Sequence, residues 1–150
     1  MDLEFEKTES LINTAMTDME FFTLIEPIIA KVGCLHTNIF PSKQFSDNYW
    51  DTPLFLPLDV WFEDNKAYVR NNYSDLKQLQ PGLEIVKING ITISEIVDHA
   101  LRRIPSDGFN ETLKMFVLNQ WYLNILLSYY YERGEEYILV VKKEGVENEV

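Results

Sequence analysis

The chain is short of cysteine: Cys34 is the single one among 150 residues, so no disulfide can close within it. Histidine is nearly as scarce, with only His36 and His99. These residues give no zinc-ligand spacing along the chain, and the acidic residues form no calcium-loop pattern. No metal and no cofactor is expected. The six glycines are dispersed, which leaves no glycine-rich loop to cradle a phosphate. Positive charge is in short supply too, with 13 Lys and Arg against 24 Asp and Glu, for a net charge of −11. Its densest runs are the pairs Arg102-Arg103 and Lys142-Lys143. Nucleic-acid affinity draws on counterions released by clustered cations, so this balance excludes nucleic acid as a partner, and an anionic membrane surface with it. A membrane span needs about 20 mostly apolar residues. The most apolar stretch, Met115 to Tyr131, is interrupted by Asn119, Gln120 and Asn124, so no span is expected. The start, Met1-Asp2-Leu3-Glu4-Phe5-Glu6, is acidic and lacks the basic opening and apolar run of a secretory signal.

What is present suffices for a core. The composition is 46% hydrophobic and 25% charged, and a chain of this length buries roughly 70% of its unfolded surface. Residues 2 to 33 read as helical. Phe5, Thr8, Ile12 and Ala15 share one face of a first helix. Thr17, with Glu20 three residues on, is a capping box that opens a second. Phe21, Phe22, Leu24, Ile25, Ile28, Ile29 and Val32 follow at helical spacing, Gly33 supplies the stop, and Pro27 predicts a kink. A long connection carries Pro41, Pro53 and Pro57. At Leu58 the period becomes two, and Leu58, Val60 and Phe62 form one face of a strand that turns at Asp64-Asn65 into Ala67 to Arg70. Pro81-Gly82 leads into an alternating strand, Leu83 to Ile88, and Asn89-Gly90 turns it into a second short strand. A helix follows over Ser94 to Ile104. After the breaker Pro105-Ser106-Asp107-Gly108, a long helix runs from its N-cap Asn110 to Arg133, with Gly134 as its stop. Residues 135 to 143 return as a strand, and the acidic tail after Gly145 reads as frayed. The class is α+β, with a helical segment over residues 1–45 and a second unit over 54–146.

No catalytic residue is assigned. His99 falls on the polar side of its helix, one turn from Glu95 and Arg103, and reads as solvated. Cys34 and His36 could in principle form a nucleophile–base pair, but residues two apart rarely point together and no third orienting group is evident. A structural corner is the expectation there. Ser74-Asp75-Leu76-Lys77 matches the S-x-x-K pattern, yet its companion motifs are missing and it falls in a loop. The long helix is apolar almost all round, which marks a helix buried on several sides. Each such side chain is worth about 1.5–3 kcal/mol on burial, so any left uncovered call for another domain or a second copy.

Three segments together resemble one known family. Phe21-Phe22-Thr23-Leu24, continued from Ile28 through Gly33-Cys34-Leu35-His36-Thr37, resembles the helix-then-"GHT" segment of the C-terminal-processing (tail-specific) serine peptidases. Leu35 stands where the second glycine of "CGHT" is usual. Pro81 to Gly90 resembles the "GDxIxxING" strand of that family's PDZ-like domain, with Leu83-Glu84 for Gly-Asp. Tyr137 to Gly145 resembles its closing strand, of the "V-x-V-x-R-x-G" type. The likeness covers most of residues 17 to 145. It implies N-terminal helices followed by a PDZ-like, partly open β-barrel with one long buried helix.

In the family a serine nucleophile and a lysine base sit on a catalytic domain after the PDZ-like domain. No position here matches either, so the resemblance implies the non-catalytic front part of a bacterial peptidase, which binds and positions a peptide or unfolded protein segment. The catalytic domain would follow Val150, and a periplasmic or cell-envelope location would need a signal ahead of Met1. The peptide would lie against Leu56, Leu58 and Val60. Phe55-Leu56-Pro57-Leu58 has no glycine and Pro57 no N–H, so strand addition along Leu58 to Phe62 is expected rather than carboxylate capture. The alternative is a stand-alone interaction module, a homodimer formed through the aromatic helix 110–133.

Overall fold

A computed structural model describes residues 2–51, 55–131 and 136–150. Its front is helical: α1 (Asp2–Leu11), α2 (Asp18–Lys31) and α3 (Lys43–Asp51). The α2 capping box forms as its sequence demands. The Thr17 hydroxyl accepts from Glu20 N–H at 3.2 Å, and the Glu20 carboxylate accepts from Thr17 N–H at 2.7 Å. α2 runs through Pro27 and ends before Gly33, whose φ of +69° reverses the chain. α1 stops at Leu11, so Ile12 and Ala15 do not extend its face, and a Lys31–Glu4 ion pair ties it to α2. α3 lies in the stretch read as an irregular connection. The Ser42 side chain accepts from Phe45 N–H at 3.3 Å, and Lys43 pairs with Asp47 one turn on.

The strands are β1 (Leu58–Glu63), β2 (Lys66–Asn72), β3 (Glu84–Ile88), β4 (Ile91–Thr92), β5 (Leu139–Lys143) and β6 (Val146–Glu149). They form one antiparallel sheet of order β1-β2-β3-β5-β6, with β4 folded back on β3. Three hairpins use two-residue turns at Asp64-Asn65, Asn89-Gly90 and Glu144-Gly145, all with positive φ at both positions. Such turns match the twist of the strands they join. The third corrects the tail: residues after Gly145 pair with β5, and Leu139 and Val150 exchange two backbone bonds of 2.8 Å. In β3 the alternation breaks, because a register shift between Ile85 and Lys87 lets both Ile85 and Ile88 face the core.

α4 (Ile93–Leu101) packs Ile96, Val97 and Ala100 against this sheet. It opens on a second capping box, Thr92 with Glu95. Thr92→Ala should cost about 1 kcal/mol, read as a lower urea midpoint with an unchanged slope; an unchanged midpoint would show that the box adds nothing. The long helix is three pieces: α5 (Glu111–Val117), a π-helical stretch Leu118–Tyr122, and α6 (Leu123–Tyr130). Its N-cap is Asn110, as its sequence suggests; the stop at Gly134 lies outside the described residues. Leu118, Leu123, Leu126 and Leu127 are buried in the core, while Phe116 and Trp121 are exposed. No helix among the described residues is long and apolar enough to cross a membrane. The class is α+β, with an open six-stranded sheet.

Candidate functional site

The three residues expected to meet a peptide do not act together. Leu56 and Leu58 line an apolar groove of about 230 Å³ at one end of the sheet, shared with Leu76, Leu79, Leu139 and Val150. Val60 lies outside that wall, although all three are equally buried, at 3–4% exposure. The β1 edge itself is held by the long helix. Phe62 N–H donates to Asn119 Oδ1 at 2.6 Å, and Asn119 Nδ2 donates back to Phe62 C=O at 3.0 Å. Leu56 N–H donates to Asn124 Oδ1 at 2.9 Å. Asn119 thus presents a side-chain amide where an added strand would present a backbone amide. Between the two clamps only about 40 Å³ remains over Leu58 to Val60. Strand addition along Leu58 to Phe62 would require the helix to leave, which corrects the expectation of an open edge.

A second cavity, about 220 Å³, lies where α2 and the connection after it meet the long helix; its wall includes Phe22, Glu26, Leu35, Phe40, Trp121 and Tyr122. Among the described residues of the wall, Glu26 is the one carboxylate. The Tyr122 hydroxyl donates to Glu26 Oε1 at 3.2 Å, and Arg103 Nε stands 3.7 Å from Oε2 without a hydrogen bond. Burial pushes the Glu26 carboxyl up to about 7, against the pull of Arg103 and the Tyr122 bond. A carboxyl so shifted is suited to proton transfer, but the described residues of the wall include no serine, threonine, cysteine or lysine beside it. The Arg103 guanidinium lies 4.4 Å over the Tyr130 ring. On its other side His99 is not solvated as expected. Its Nδ1 shares a 2.7 Å hydrogen bond with the Tyr131 hydroxyl, and burial, then Arg103 and Arg102, lower its pKa to about 4.

The loops after α2 and α4 meet. Gly108 N–H donates to Gly33 C=O at 2.9 Å, and Leu35 N–H donates to Asp107 Oδ1 at 2.8 Å. The Cys34 sulfur, a His36 ring nitrogen and an Asp107 carboxylate oxygen come within 4.8 Å of one another. The third group that the sequence did not reveal beside Cys34 and His36 is therefore Asp107, 72 residues from Leu35. Spacing along the chain could not have found it. Hydrogen bonding from the Thr37 side chain and the His36 backbone holds the Cys34 thiol below its usual range, against the opposing effects of burial and the Asp107 charge. Ser74 of the S-x-x-K stretch is a turn residue: its N–H and hydroxyl both donate to Asn72 Oδ1, and its oxygen accepts from Leu76 N–H.

Comparison of the chain with protein-family models, curated proteins and solved structures finds no match.

Proposed function

We propose that this chain is a non-catalytic recognition module whose groove at Leu56 and Leu58 takes an apolar side chain of an extended peptide segment. We further propose that it is the PDZ-like front part of a tail-specific serine peptidase, positioning substrate for a Ser–Lys domain beyond Val150; this second step rests on the motifs around Gly33, Pro81 and Tyr137. The observation that carries the reading is the groove itself: apolar, open to solvent, and bounded by strand residues Leu58 and Leu139. Its volume is below the 300–1,000 Å³ of drug-sized sites, which suits one or two side chains. Two of the neighbouring polar groups are occupied locally, since Pro57 C=O accepts from Tyr73 N–H and the Ser74 hydroxyl serves its own turn. Selection would therefore be by apolar fit.

Titration with short peptides of apolar sequence should give weak saturable binding and no cleavage. Leu76 is 43% exposed, so Leu76→Glu places a charge in the groove without disturbing the core. It should weaken binding tenfold or more, about 1.4 kcal/mol. Absence of binding at millimolar peptide would end this reading.

A second reading, self-association through the long helix, is favoured by the joined exposure of Trp121 (58%) and Phe40 (83%) at the rim of the junction cavity. Sedimentation should then show a concentration-dependent mass that Trp121→Glu returns to the monomer. A monomer at all concentrations would exclude it.

A further inference from the structure

Cys34 and His36 flank Leu35 in the turn after α2, and Asp107 lies in the loop between α4 and α5. The two loops are fixed to each other by the Gly108–Gly33 and Leu35–Asp107 bonds. The second takes one acceptor position of a carboxylate that has about four, so Asp107 is oriented and still able to ligate. A nucleophile relay would set sulfur, imidazole and carboxylate in series, with the ring between the two ends. Here one donor atom from each residue lies within 4.8 Å of the other two, close enough for a single ion to reach all three.

A cation placed centrally among three atoms so spaced is at most about 2.8 Å from each, against about 2.3 Å for Zn–S and about 2.0–2.1 Å for Zn–N. His36 and Asp107 are exposed, so their side chains can close that difference without moving the core.

We propose that Cys34, His36 and Asp107 form a binding site for Zn²⁺ or a divalent ion of the same class, with water completing the coordination. One sulfur, one nitrogen and one oxygen donor suit a borderline-soft divalent ion, and three protein ligands leave a fourth position open. Cys34 binds as the thiolate, and its proton passes to solvent as the metal–sulfur bond forms. The ion would clip the end of α2 to the α4–α5 loop beside the junction cavity, whose wall includes Leu35 and Pro105.

The test is CoCl2 added to chelator-treated protein kept reduced by a phosphine. One equivalent of Co²⁺ should give a thiolate-to-cobalt charge-transfer band, displaced by ZnCl2. Cys34→Ser should abolish the band. His36→Gln and Asp107→Asn should each weaken binding about tenfold or more; asparagine at 107 keeps the acceptor for Leu35 N–H, and circular dichroism checks the fold of each variant. ZnCl2 should raise the melting temperature of the wild type and not of Cys34→Ser. The site is disproved if no band forms. It is equally disproved if the band persists at full affinity in both His36→Gln and Asp107→Asn, because Cys34 would then bind alone.

Discussion

Asn119→Leu is expected to lower stability by about 3 kcal/mol, because leucine is bulkier than asparagine and keeps its branched outline but neither of its polar atoms. Asn119 is 6% exposed and Phe62 is 2% exposed, so water does not replace the lost amide. Phe62 N–H and C=O lose their partners at 2.6 and 3.0 Å, and each orphaned buried group costs about 1–3 kcal/mol. For a domain of this size that is a fall of about 6–12 °C in melting temperature. Asn119→Asp separates polarity from geometry: it keeps an acceptor for Phe62 N–H but sets a second acceptor against Phe62 C=O. It should cost at least as much at neutral pH. A loss below about 1 kcal/mol for Asn119→Leu in urea denaturation would show that the clamp is incidental.

The clamp also shows where the sequence stops being legible. Asn119 and Asn124 read as interruptions of an apolar run, since periodicity cannot distinguish a polar side chain aimed at water from one aimed at a strand. Their meaning depends on Leu56 and Phe62, more than fifty residues away. Local signals, by contrast, could be read directly. The Thr17–Glu20 box, the Asp64-Asn65 turn and the Asn110 cap each lie within four residues and formed as their spacing requires. α3 escaped notice because a nine-residue helix is short for periodicity to register, although Ser42 and the Lys43–Asp47 pair were visible cues. β6 did so because its acidic residues, exposed on both faces, carry no alternation. At the groove, strand pattern and resemblance point to Leu56, Leu58 and Val60, of which Leu56 and Leu58 line it. Their companions Leu76, Leu79 and Val150 come from loops and the chain end, which no pattern joins.

Glu26→Gln and His99→Gln should tilt the dependence of stability on pH in opposite directions. Folding raises the Glu26 carboxyl from 4.5 to about 7, so between those values the folded state binds more protons than the unfolded one. Its contribution to stability is full below about pH 4.5 and is lost as pH rises to 7. At about 1.4 kcal/mol per unit, the loss reaches up to about 3 kcal/mol. His99 works the other way. Its folded pKa drops from 6.5 to about 4, so its contribution is lost as pH falls through that window and complete above pH 6.5. The amplitude is smaller, because the ring is only partly buried and solvent screens it.

The two windows overlap, and the wild-type profile is therefore flatter than either component. Glu26→Gln removes the falling part and should leave stability rising from pH 4 to 6.5. His99→Gln should leave it falling from about pH 4.5 to 7. Arg103 stays charged across this range, so its pull on the Glu26 carboxylate is already contained in the shifted value, and its bond to the His99 carbonyl at 3.3 Å is to backbone that His99→Gln keeps. Urea midpoints measured from pH 4 to 8 decide the matter: a difference between Glu26→Gln and wild type that stays constant with pH would mean that the buried carboxyl titrates as an ordinary surface glutamate.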